Sequence, residues 1–132
     1  MFTYKEKSYE CSFELGLSMF SRKWNSLVLY HLSDGTKRHS ELKRLIGGVT
    51  QKMLTQTLRD LERFQLIHRE VYPVVPPKVE YSLTQYGREI LPILEMIQQF
   101  GEGMFKAYNT DGLIEKYPTE DRGERANKIN GP

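Results

Sequence analysis

Five side chains within nine residues carry the donor and acceptor groups that can read the edges of bases. Gln51, Lys52, Thr55, Gln56 and Arg59 fall on the polar side of a stretch whose Leu54, Leu58 and Leu61 recur at i, i+4 and i+7, the spacing of a helix with one buried stripe. An amide of Gln51 or Gln56 can pair with adenine, the Thr55 hydroxyl can bond a base or meet a thymine methyl, and Arg59 can reach guanine or a phosphate. The residue types alone leave open which group does which. Thr50 stands where it would cap that helix, and with Ser40 and Lys43 it suits phosphate, because a helix start presents unpaired N–H groups to an anion. His39 could reach phosphate from the start of the preceding helix, and Arg69 and Lys78 add cations farther along.

Other chemistry is thinly represented. The single cysteine, Cys11, cannot form an internal disulfide, and with His31, His39 and His68 it shows no zinc-site spacing. No nucleophile has a base at a useful spacing, and there is no glycine-rich phosphate loop or paired-carboxylate motif, so a protein without catalytic activity, metal or cofactor is expected. Trp24, Tyr30, Tyr72, Tyr81 and Tyr86 lie on apolar faces and are assigned to the core.

These residues need elements to position them, and the chain is long enough to supply them. Its 132 residues, 39% hydrophobic, suit a single folded domain. The formal charge of +2 conceals an asymmetry: residues 21–88 hold 12 basic against 6 acidic residues, a local +6, while residues 1–20 carry −1 and residues 89–132 carry −3. A basic middle can attract a polyanion, although a merely solvated charged face has the same composition. No apolar run is long enough for a membrane span, and residues 1–7 open no signal peptide, so a cytoplasmic protein without membrane contact is expected.

Apolar stripes predict short helices over 13–20 and 23–32, a turn at Ser33-Asp34-Gly35-Thr36, a helix over 41–46 ending at Gly47-Gly48, and the helix over 51–63. Residues 67–72 and 78–83 then alternate apolar and polar with period two around Pro73-Val74-Val75-Pro76-Pro77, which predicts a β-hairpin with a stiff projecting tip. Thr84 should cap a last helix in which Pro92 predicts a kink, or a break into two helices. The fold class is therefore mainly α with a small β-hairpin, in the element order of a winged helix-turn-helix flanked by N- and C-terminal helices. In the last helix Ile90, Leu94, Ile97, Gly101, Met104 and Tyr108 form a heptad seam, with Met96, Phe100 and Phe105 as a second stripe. A homodimer interface made of Leu94, Ile97, Gly101, Met104 and Tyr108 with Phe13, Leu17 and Phe20 is expected, although the same residues could pack within one chain.

The run from Gly47 to Arg63, followed by Arg69-Glu70-Val71-Tyr72-Pro73-Val74-Val75-Pro76-Pro77-Lys78-Val79-Glu80-Tyr81-Ser82-Leu83-Thr84, resembles the HxlR family of bacterial transcriptional regulators. The likeness extends back through Lys37-Arg38-His39-Ser40-Glu41-Leu42 and Lys23-Trp24 to Cys11, and forward through Gly87-Arg88-Glu89-Ile90-Leu91-Pro92. It implies a homodimeric winged helix-turn-helix regulator that binds double-stranded DNA at an inverted repeat. Residues 1–108 would form that unit, with the wing over about 67–83, and 109–132 a polar tail, partly disordered beyond Pro118. Three positions depart from the family's usual pattern: Ser12 replaces a proline, His39 an aromatic, and Phe64-Gln65 an Asp-Gly-type turn.

The resemblance also implies a sensing role for Cys11, by oxidation or by alkylation with an electrophile. N–H groups at a helix start favour the thiolate, and Glu10 and Glu14 oppose it. The plain alternative for Cys11 is a small apolar filler. At the level of the whole protein the alternatives are a winged helix that binds a protein partner, or a regulator that takes a small molecule between wing and dimer helices.

Overall fold

A computed structural model describes residues 1–4 and 6–110. The expected tail lies outside the described residues from 111 onward. The elements are β1 (Phe2–Tyr4), β2 (Lys7–Tyr9), α1 (Ser12–Phe20), α2 (Lys23–His31), α3 (His39–Ile46), α4 (Gln51–Arg63), β3 (Ile67–Tyr72), β4 (Lys78–Leu83) and α5 (Gln85–Thr110). This is the expected mainly helical class with a wing hairpin.

Leu54, Leu58 and Leu61 of α4 are buried with Val28, Leu29 and Leu32 of the α2 region, Leu42 and Ile46 of α3, and Val49. The second helix of the pair is thus fixed by its apolar stripe, which leaves its polar face outside. Between α3 and α4, Gly47 and Gly48 take φ of 66° and 73°, a conformation that side chains with a Cβ rarely adopt. The Thr50 hydroxyl then accepts the Met53 N–H at 3.1 Å and caps α4. At the start of α3 the Glu41 carboxylate accepts the Arg38 N–H at 3.0 Å, so this helix begins at His39, two residues before the expected start.

Strands β3 and β4 pair antiparallel from Ile67↔Leu83 out to Tyr72↔Lys78. Ile67 and Leu83 enter the core, and exposure increases toward the tip. Lys37 bridges to Tyr81, its N–H donating to the Tyr81 carbonyl at 3.0 Å and its carbonyl accepting the Tyr81 N–H at 2.8 Å, which ties the hairpin to the segment entering α3. The β1–β2 hairpin has no counterpart in the sequence reading. Its strands are three residues long, and Glu6 takes the left-handed φ of 68° that a glycine or asparagine would normally advertise.

The sequence-based expectations need three corrections. The last helix is a single element through Pro92: Ile90, Leu91 and Leu94 all pack on the core and hold both flanks of the proline in one helix. Leu94, assigned to the dimer seam, is 7% exposed and belongs to the chain's own core. Phe20 also packs partly against that core. Tyr72 and Tyr86, assigned to the core, are exposed, whereas Trp24, Tyr30 and Tyr81 pack against it.

The joint between wing and α5 is tightly built. Thr84 donates its hydroxyl to the Gln65 carbonyl at 2.6 Å, accepts the Gly87 N–H at 3.1 Å, and sends its own N–H to the Leu66 carbonyl at 3.1 Å. A Cβ on Gly87 would stand 2.1 Å from that Leu66 oxygen. Glycine is required by this contact.

Candidate nucleic-acid interface

The outward face of α4 brings Gln51, Lys52, Gln56 and Arg59 together as exposed side chains. Lys52 and Arg59 form no ion pair among the described residues, nor do Lys43 and Arg44 at the end of α3 or Arg69 on β3. Ser40 and Lys43 are exposed on α3. Cations without carboxylate partners next to an amide-rich helix face make a surface suited to a polyanion with readable edges.

Two of the expected readers are already engaged. Thr55 is half-buried, and its hydroxyl donates to the Gln51 carbonyl at 2.8 Å. That uses its one hydrogen, so at the 3.1 Å contact with His39 Nε2 the imidazole N–H is the donor and Thr55 the acceptor. His39 therefore fastens α3 to α4, a positioning role that the spacing of 16 residues does not reveal. The Gln56 amide nitrogen donates to Asp60 at 3.1 Å, and Asp60 also meets Arg63 at 3.4 Å. Gln56 keeps its amide oxygen for a partner, whereas Gln51 keeps its whole amide.

The wing carries its charges differently. The Lys78 ammonium lies 3.5 Å from Glu80 and 5.0 Å from the centre of the Tyr72 ring. Glu80 also accepts from the Tyr72 hydroxyl, and that bond with the nearby carboxylate charge raises the tyrosine's pKa. Arg69 is exposed on the opposite face of the hairpin, in register with Tyr81.

Behind this surface, Asn25 is buried and donates to the Met19 carbonyl at 3.3 Å, and the Ser26 hydroxyl donates to the Phe20 carbonyl, so the start of α2 holds the end of α1. Both were missed in the sequence, where a polar pair after Trp24 has no pattern of its own. His31 is buried, which pushes its imidazole pKa down against the opposing pull of Asp34. Asp34 is held low by its hydrogen bond to Lys37, at 2.7 Å. Tyr30 is raised by burial and by Glu95. A cleft of about 390 Å³ lies between the turn after α2, β4 and α5, with Leu32, Asp34, Ser82, Leu83, Arg88 and Leu91 in its wall.

Residues 19–109 match the HxlR-like helix-turn-helix family. The chain belongs to that family. This HxlR-like chain is 52% identical over 95 residues to the HTH-type transcriptional regulator YkvN of Bacillus subtilis (strain 168), across 72% of this chain and 80% of YkvN. Among solved structures it is similar to the redox regulator HypR in its reduced form, with a TM-score of 0.71 at 42% identity over 76% of this chain and 99% of that one. It is also similar to the reduced form of the transcriptional regulator YodB from B. subtilis, with a TM-score of 0.63 at 33% identity over 71% and 93% of the two chains.

The remaining predicted residues lie on the far elements. Phe13 and Leu17 of α1 are exposed, as are Ile97, Gly101, Met104 and Tyr108 of α5. Met96 and Phe100 of the second stripe are exposed too, Phe100 at 72%, and the structure adds Ile93. Cys11 is exposed at the residue preceding α1, which removes the apolar-filler reading. Glu14 in the first turn accepts the Glu10 N–H at 2.6 Å. No helix among the described residues is long and apolar enough to cross a membrane.

Proposed function

We propose that this HxlR-type transcriptional regulator binds an inverted-repeat DNA operator as a homodimer, with α4 lying in the major groove of each half-site. The observation that carries the reading is the outward face of α4, where Gln51, Lys52 and Arg59 are exposed and the cations are unpaired among the described residues. Gln51, Gln56 and Arg59 read bases, while Lys52, Ser40, Lys43, Arg69 and the N–H groups beside Thr50 hold phosphates. Lys78 reaches a phosphate only by leaving Glu80. His39 and Thr55 set the angle between α3 and α4.

The homodimer is supported by the exposed Ile93, Met96, Ile97, Phe100, Met104 and Tyr108, large apolar side chains that recur along one face of α5, the kind of surface that marks an interaction site. A two-fold pair would set the recognition helices about 34 Å apart, one turn of DNA. In vitro selection from a random duplex pool tests this. Enrichment of an inverted repeat that binds two chains supports it, and no enrichment, or a site bound by one chain, contradicts it.

Control through Cys11 is the finer part of the proposal. Its support is the exposed thiol together with the likeness to HypR, a redox regulator solved in reduced and oxidised forms. With one cysteine per chain, oxidation joins Cys11 to a second chain or to a small thiol, and a quinone or aldehyde alkylates it. Treatment with diamide should change operator affinity in the wild type and leave Cys11→Ser unaffected. An equal response in both would remove the switch.

A further inference from the structure

The tip of the wing has the wrong chemistry for a phosphate clamp. Residues 73–77 read Pro-Val-Val-Pro-Pro and contain no charged side chain. The three prolines have no N–H, and the Val74 N–H donates to the Tyr72 carbonyl at 2.8 Å, so Val75 alone among the five has a backbone donor to offer. The nearest cation, Lys78, is engaged by Glu80 and the Tyr72 ring. Glu70 stands opposite Glu80 across the ladder, which makes that face of the hairpin acidic rather than basic. The tip is nevertheless strongly apolar and exposed: Val75 is 99% accessible, Val74 52% and Val71 48%.

Its position is well defined. The hairpin follows α4 directly and is anchored at its base by Ile67 and Leu83 in the core and by the Lys37–Tyr81 bridge. Three prolines at the far end restrict the loop, so little conformational entropy is lost when it docks. A stiff, apolar, donor-poor projection beside a recognition helix fits the floor of a minor groove opened by unstacking, where sugars and base faces are apolar, and does not fit the phosphate rail.

We infer that the wing tip is an apolar wedge, with Val74 and Val75 pressing into the minor groove flanking each half-site and bending the DNA there. The inference rests on the DNA-binding reading above. Its consequence is specificity without base-edge contact: pyrimidine–purine steps, which unstack most easily, are favoured at the flanks.

The test uses the duplex that the wild-type chain selects from a random pool, and compares wild type, Val74→Ser/Val75→Ser and the apolar control Val75→Leu. Both changes lie at exposed positions outside the core, and circular dichroism checks that folding is retained. The serine variant should lose about tenfold or more in affinity, with the salt slope unchanged because no phosphate contact is lost. The bend, read by energy transfer between labelled duplex ends, should fall toward that of free DNA, while Val75→Leu keeps it. Equal affinity and equal bend in the serine variant would overturn the wedge while leaving the DNA reading intact, and would point to a protein contact at the tip. A lowered salt slope would overturn it in favour of a phosphate contact. A pool from which the wild type enriches nothing overturns both proposals.

Discussion

Replacing Gly87 by alanine is the most informative single perturbation of the scaffold. The new Cβ would lie 2.1 Å from the Leu66 carbonyl oxygen and 3.1 Å from Leu83 Cδ2. The first distance is more than an ångström inside van der Waals contact, and the obstacle is backbone, so the first turn of α5 must move away from Leu66. Overpacking of this kind costs about 1–3 kcal/mol. The movement also strains three hydrogen bonds, Thr84 N–H to Leu66, Thr84 hydroxyl to Gln65 and Gly87 N–H to Thr84, at about 1 kcal/mol for each one lost. Alanine returns up to about 1 kcal/mol of helix propensity. With one of these bonds lost, the net expectation is a loss of about 1–3 kcal/mol, a large share of the stability of a domain this size. Urea unfolding followed by circular dichroism measures it, as a lower midpoint at unchanged slope. A change below about 0.5 kcal/mol, the range of an ordinary surface substitution, would mean that α5 does not approach Leu66 as described.

Three further outcomes follow from particular residues. Gln65 holds a left-handed φ of 62°, so Gln65→Gly should stabilise by about 0.5–1 kcal/mol, the strain relieved less the entropy that glycine adds to the unfolded chain; destabilisation in urea would refute this. Burial holds the His31 pKa below 6.5 in the folded state, so the unfolded chain binds the proton more readily and stability falls as pH drops below about 6.5. Thermal unfolding at pH 7.5 and 5.5 should show a smaller acid loss in His31→Leu than in the wild type, and identical losses would contradict the assignment. Phe100→Asp places a charge on the exposed face of α5 and should give monomers by analytical ultracentrifugation with little change in helicity; an unchanged oligomeric state would remove that face from the interface.

Local patterns carried most of the fold. Leu54, Leu58 and Leu61 marked α4 and hence which of its residues face outward, and the period-two reading placed both wing strands at their observed bounds. What escaped depends on contacts distant in sequence. Nothing near Thr55 signals that His39 occupies its hydroxyl, and nothing near Gly87 signals the Leu66 carbonyl above it. The break into two helices that Pro92 allowed does not occur, because Ile90, Leu91 and Leu94 are held by one core. Leu94 matched the heptad as well as Ile97 did, and only the packing separates core from exposed face. Two of the departures from the pattern have visible local consequences: Gln65 takes a left-handed φ of 62°, and His39 makes a hydrogen bond to Thr55.

The central claim, that the unpaired cations of α3 and α4 hold DNA, is tested most directly by the salt dependence of binding to the selected duplex. With about three phosphate contacts per chain in a dimer, log K should fall with log salt at a slope near −5, and Lys43→Ala, counted twice, should reduce that slope by about 2. A flat salt response, or a slope indifferent to Lys43, would contradict the account.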